Sequence, residues 1–219
     1  MITEDLRLPL LSIPSPMGNN KAAEIIEIIN IIRAIVPNIE LVLFDRGFYN
    51  KEVMDELNRI NIPYLIFVPK NDQIKRELEA MQKEERKIEI YEFEYYKDKN
   101  KRTGFTYLAF LKQIFDHESE TYYDWAFATN LSEIDLKNII GTYKLRWNIE
   151  VIFKVQDQCK IQTKSKDILV RYFLFAYEQL IEALWYLHYK EVSFKRYLIE
   201  LSDACTEMVN NEEKKKADR

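Results

Sequence analysis

Glu40-Leu-Val-Leu-Phe-Asp-Arg-Gly-Phe-Tyr-Asn50 decides the fold. Its first half is a continuous apolar run, the pattern of a strand buried on both faces. Its second half closes that strand with an Asp and a Gly. Lys51 to Ile60 then takes helical periodicity, and Tyr64-Leu-Ile-Phe-Val68 is a second apolar run. Strand, turn, helix and strand on short connectors point to α/β packing. Upstream, Ile25, Ile28, Ile29, Ile32, Ile35 and Val36 mark one face of a helix that begins at Lys21 and stops at Pro37. Leu6 to Pro14 reads as a short strand, demoted towards an edge by its prolines.

Downstream, Asn71 to Glu85 reads as a solvated helix. Lys87 to Tyr96 alternates with period two, and Phe105 to Phe110 does so more weakly; Lys97-Asp-Lys-Asn-Lys-Arg102 between them predicts a hairpin. Tyr122 to Thr129 is a further strand ending at Asn130. After Ser132 the chain reads as helical over 133–158, 165–190 and 193–210, then ends in a charged tail. The expected organisation is an α/β core over 1–86, a β-rich insertion over 87–130, a helical remainder over 131–210 and a tail over 211–219.

Composition narrows the class. The 219 residues are 47% apolar, 31% charged and 13% aromatic, a composition that folds into a globular core. Four Gly and six Pro exclude collagenous, loop-rich and propeller architectures. Two Cys, 46 positions apart, exclude a disulfide framework and suggest a reducing cytoplasm. The most apolar window, Ile25 to Val36, carries Glu27 and Arg33, so no membrane partner is expected. A net charge of −4 does not announce a nucleic-acid protein, so any such function must rest on local charge.

Tyr143-Lys-Leu-Arg-Trp-Asn-Ile-Glu-Val-Ile-Phe-Lys-Val-Gln-Asp157 carries the chemistry. On a continuous helix, Tyr143, Arg146, Glu150, Lys154 and Asp157 fall within about 80° of one another, with apolar side chains over the rest. That is either a narrow polar stripe lining a groove, or an Arg146–Glu150–Lys154 ladder on the exposed edge of a core helix. Asp45 offers a similar choice. Carboxyl ends of α/β strands are where sites gather, and a carboxylate there can hold a hard divalent ion; it can equally cap a turn ahead of the helix at Lys51.

Together, Asp45-Arg-Gly-Phe-Tyr49 and Tyr143, Arg146 and Glu150 at spacing Y-x₂-R-x₃-E resemble the DDE transposases of prokaryotic insertion sequences, of the insertion-sequence-four type. Ala128-Thr-Asn130, the run Arg146 to Lys154, Thr163-Lys-Ser165, Val170-Arg171 and Leu184-Trp185 fit the same family, over roughly residues 35–190. The resemblance implies a ribonuclease-H-like core with a β insertion and a helical close. It implies that Asp45 and Glu150 are catalytic acids sharing Mg²⁺ or Mn²⁺, in a two-metal displacement at a DNA phosphodiester. Tyr143 and Arg146 would contact phosphate, with Lys154, Lys160, Lys164 and Arg171 along a basic strip. Residues 143–171 hold seven Lys/Arg against three acids, consistent with that strip. The implied partner is double-stranded DNA at transposon ends, bound by a homodimer in a synaptic complex, associated with the nucleoid in the cytoplasm.

Two departures from the family pattern qualify this. The signature's final Lys falls at position 157, where this chain has Asp. The family's first acid lies on an early strand, yet only Asp5 precedes the helix at Lys21. The expectation is therefore a core whose first strands and first acid are missing, and weak or no catalysis. The alternatives are a remnant that binds DNA or partner subunits without catalysis, a related ribonuclease-H-like nuclease, and a scaffold whose polar stripe is structural. Tyr122, Tyr123 and Trp125 are either core or a stacking surface for an unpaired base. His117, His188, Cys159 and Cys205 lack the spacing of a zinc site. The aromatic helix Tyr172 to Tyr189 reads as core, or as a dimer surface.

Overall fold

The computed structural model describes residues 8–15, 19–96, 103–116 and 119–217. Two compact units emerge, residues 15–146 and residues 1–14 with 147–219.

The first unit is a mixed α/β sheet. Its strands are β1 (Val42–Phe44), β2 (Tyr64–Phe67), β3 (Ile88–Tyr96), β4 (Thr103–Asp116) and β5 (Thr121–Thr129), in the order β1-β2-β5-β4-β3. β1 and β2 are parallel, while the β2–β5, β5–β4 and β4–β3 pairs are antiparallel. The strands expected as an insertion therefore continue the same sheet, because Leu65 of β2 pairs with Thr129 of β5.

Period-two alternation splits the core between the two faces. Tyr64, Ile66, Leu108, Phe110, Ala126 and Ala128 point to one side. There they meet α1 (Lys21–Ile35), α2 (Lys51–Arg59) and α3 (Asp72–Lys83) through Ile25, Ile29, Val53, Leu57, Ile74 and Leu78. Leu65, Ala109, Leu111, Trp125 and Phe127 point to the other, against Ile139 and Tyr143 of α4 (Ile139–Lys144). β2 sits between two strands, and Tyr64, Leu65 and Ile66 are fully buried. Such side chains each contribute about 1.5–3 kcal/mol of burial. β1 has a partner on one side only, so Val42 and Leu43 are half-buried; the expected burial of this strand is met fully only at Phe44.

Local chemistry starts and stops the helices. Asn20, Asn50 and Asn71 cap α1, α2 and α3 by accepting from backbone N–H groups of the first turn. Arg33 donates to the Ile60 carbonyl at the end of α2, at 3.0 Å. At the end of β5, the Asn130 amide donates to Ile62 O and its oxygen accepts from Tyr64 N, tying that strand end to the start of β2. β4 carries a bulge between Leu111 and Ile114, where Gln113 takes a positive φ. Asp124 satisfies the bulge, accepting from Gln113 N at 2.9 Å and from Lys112 Nζ at 2.8 Å.

The second unit contains α5 (Asn148–Gln156), α6 (Ile168–His188) and α7 (Phe194–Ala217). Three expectations change here. The helix predicted over 133–158 is broken: α4 ends at Lys144, a 3-10 turn covers Leu145–Trp147, and α5 follows. The tail expected from 211 is helical to Ala217. Leu8 to Pro14 is extended chain and not a strand, since Pro9 and Pro14 cannot donate to a ladder. That segment lies along α6 instead, with the Tyr172 hydroxyl donating to Ser12 O at 2.6 Å and Ser12 Oγ donating to Gln179 at 2.7 Å. No described helix is long and apolar enough to cross a membrane.

Candidate functional site

Asp45 stands immediately after β1, exposed, as the cap of a single 3-10 turn, Arg46–Phe48. Its Oδ1 accepts from Arg46 N at 2.7 Å. The longer helix at Lys51 is capped by Asn50, so Asp45 serves only the short turn. The loop is braced from α1, where the Lys21 ammonium donates to Gly47 O at 3.1 Å and lies 5.7 Å from the Phe48 ring centroid. A Cβ placed on Gly47 would meet no atom within 4 Å. Packing therefore does not require glycine here; it leaves open backbone two residues from the carboxylate.

Tyr143 and Arg146 close the first unit. Tyr143 is 2% exposed, with its ring centroid 5.0 Å from Phe127, 5.7 Å from Phe67 and 6.5 Å from Trp125. This corrects the expectation that its side chain lies on an exposed stripe: the aromatic layer takes the ring. The Arg146 guanidinium lies 5.5 Å from the Tyr143 ring centroid, so the buried ring supports the cation. Lys144 is half-buried in an ion pair with Asp116 at 2.6 Å, and its charge is largely spent there.

Glu150 and Lys154 lie on α5, both exposed. The expected burial of the rest of this helix does not hold: Ile152 and Gln156 are buried, whereas Trp147, Ile149, Val151 and Phe153 are 38–48% exposed. Asp157 sits in the next 3-10 turn, 3.6 Å from Lys160, so these two exposed residues form a surface ion pair. Lys164 and Arg171 are exposed on either side of the α6 start, where Asp167 caps by accepting from Leu169 N. Thr163 and Ser165 shape that entry, each hydroxyl accepting from the N–H two residues on.

Asp45 belongs to the first unit and Glu150 to the second. Both offer hard oxygen donors of the kind Mg²⁺ and Mn²⁺ take. Among the described residues no group of three or more His, Cys, Asp or Glu is gathered to hold an ion. Asp5 and His117 lie outside the described residues.

Sequence reasoning missed a buried polar cluster in the second unit. Glu178 and Glu182, 6% and 4% exposed, face inward from α6. Glu178 accepts from Ile161 N at 2.6 Å and Gln156 Nε2 at 3.2 Å. Burial pushes Glu182 up to about 7. Burial, with Glu178 and Glu182 nearby, likewise raises the Cys159 thiol to about 11, so it is no nucleophile. The available signal was the i,i+4 spacing of two acids inside an otherwise apolar helix.

Tyr122 and Tyr123 are 69% and 42% exposed, and Tyr122 packs on Phe115 at 5.1 Å, so of the three aromatics only Trp125 joins the core.

A five-stranded mixed sheet flanked by helices makes this an α/β domain, and the family model that matches it describes a domain of the ribonuclease-H-like class. The chain belongs to the transposase DDE domain family, whose model matches residues 2–177. No curated protein matches it. That family acts on DNA by nuclease and strand-transfer chemistry and generally uses divalent metal.

Proposed function

We propose that this chain works as a transposase catalytic domain of the insertion-sequence-four type, acting at the ends of a DNA element. The observation that carries the proposal is the family match over residues 2–177, together with Asp45 at the end of β1 and Glu150 on α5, both exposed. Asp45 and Glu150 are the carboxylates that would serve as ligands for Mg²⁺ or Mn²⁺. When bound, such ions activate water or a 3′-hydroxyl and stabilise the leaving oxygen of an in-line displacement. Arg146, steadied over the Tyr143 ring, presents a planar fork of donors to a phosphate near the scissile bond. Tyr143 acts through that support. Lys154, Lys164 and Arg171 neutralise backbone phosphates further along, and Lys160 does so after exchanging Asp157 for phosphate. Two copies acting on paired ends complete the reading.

A second reading, DNA binding without catalysis, is favoured by the exposure of Lys154, Lys164 and Arg171, which need no acid to bind phosphate.

The test is Mn²⁺ binding by titration calorimetry and nicking of end-sequence DNA, with Asp45→Asn and Glu150→Gln beside the parent chain. Under the catalytic reading both variants lose Mn²⁺ binding and nicking, while DNA affinity is kept or rises. Unchanged Mn²⁺ binding in both variants refutes the assignment of these two acids as metal ligands. DNA binding by a parent chain that takes up no Mn²⁺ establishes the second reading.

A further inference from the structure

α6 is inside out. Its buried positions are Glu178 and Glu182, while Val170, Phe173, Tyr177, Leu180, Leu184 and Leu187 are 40–66% exposed. These six follow one another at steps of 3, 4, 3, 4 and 3, the a/d spacing of a heptad seam, with Val at the first a position and Leu at the later d positions. An amphipathic helix packed only on its own unit shows the opposite polarity.

The seam suits a like helix. No charged residue stands among the six, so identical copies meet without repulsion. Its g flanks are Ala176 and Ala183, small enough for close approach. Half-exposed aromatic and leucine side chains at six positions offer on the order of 400–500 Å² of apolar surface per copy. With Leu169, 70% exposed at the g position just ahead of Val170, this approaches the ~600 Å² per partner at the lower end of stable interfaces. That matches the largest apolar patch of a typical monomer, about 300–600 Å², which is often a functional surface.

We propose that α6 pairs with α6 of a second copy of this chain through this seam, forming an isologous dimer; this rests on the two-copy assembly proposed above and gives it a surface. The pairing needs neither metal nor DNA. It also explains why α6 tolerates two buried acids: its apolar face is committed outward, and its polar face is left to bind Gln156 and the backbone at Ile161.

The experiment is sedimentation of the full chain without DNA or metal. Leu180→Glu and Leu184→Glu are run beside the parent, with far-ultraviolet circular dichroism to verify folding. The parent sediments as a dimer, and each Glu variant weakens dimerisation about 100-fold or more, since the loss is counted twice in a symmetric pair. A second measurement does not depend on those variants folding. In a Cys205→Ser background, Leu180→Cys forms an interchain disulfide on mild oxidation, and Asp203→Cys, exposed on α7, does not. A dimer that persists in both Glu variants, with cross-linking no faster at 180 than at 203, overturns the seam and leaves the two-copy assembly standing. A monomeric parent overturns the seam, and the same sedimentation repeated with end-sequence DNA then decides the two-copy assembly separately. A monomer in which the Leu180→Cys thiol resists alkylation shows the seam covered by the chain's own residues. DNA binding and Mn²⁺ uptake are read separately and are not at stake.

Discussion

Replacing Tyr143 separates a packing role from a phosphate-contact role. The side chain is 2% exposed and packs against three aromatic rings with centroids 5.0–6.5 Å away. Tyr143→Ala leaves a ring-sized cavity in the layer beneath β2 and β5. Aromatic-to-alanine changes in such sites cost about 3–5 kcal/mol. For a chain of this length that is a fall of roughly 10 °C in melting temperature. Tyr143→Phe keeps the ring and costs about 1 kcal/mol at most. Melting by circular dichroism and DNA binding by fluorescence anisotropy across a salt series distinguish the cases. The expected pattern is a destabilised Tyr143→Ala, and a Tyr143→Phe with near-parental melting and an unchanged salt slope. Arg146→Ala lowers that slope by about one phosphate. A Tyr143→Phe variant that melts like the parent yet weakens DNA binding as much as Arg146→Ala would refute the packing argument and restore a direct hydroxyl–phosphate contact.

Three further outcomes are expected. Gly47→Ala raises stability by about 0.4–1 kcal/mol, because nothing crowds the new Cβ and the unfolded chain loses freedom; if DNA nicking falls in that stabilised variant, the space beside Asp45 is functional. Glu182 has its folded pKa raised to about 7 by burial, so its protonated form favours the native state. Its contribution is complete below its unfolded pKa and is lost as pH rises towards 7. Denaturation midpoints should therefore fall across that window in the parent and stay flatter in Glu182→Gln. At Asp124 burial works to raise the pKa, but the bonds from Lys112 and Gln113 N–H together prevail and hold it below the usual carboxylate value. Its contribution is present above the unfolded pKa and lost as pH falls through the folded one. Asp124→Ala costs about 1–3 kcal/mol by leaving the bulge N–H and Lys112 without this acceptor, and amide exchange at Gln113 reports it.

The elements were legible where a repeat period is strong and bounded. Residues 40–68 read directly as strand, helix and strand, and the alternation from Lys87 to Tyr96 declared its hairpin. Asp45 was legible as the residue that closes an apolar run and caps the turn after it. The polar stripe was not. Residues 143–157 have uninterrupted helical spacing, and only the aromatic layer of Phe67, Trp125 and Phe127 shows that the Tyr143 ring is buried. α6 misled in the opposite sense, since an apolar helix ordinarily reads as core.

Residue order alone determined the α/β class and the strand ends, because these depend on neighbours within a few positions. Tertiary structure decided that β5 pairs with β2 to make one continuous sheet, that Tyr143 belongs to the core, and that Lys144 and Lys160 are engaged by Asp116 and Asp157. It also decided that α6 turns Glu178 and Glu182 inward. Periodicity specifies that a helix has two faces; which face is buried depends on groups far along the chain, here the Ile161 N–H and Gln156 that a buried carboxylate must satisfy.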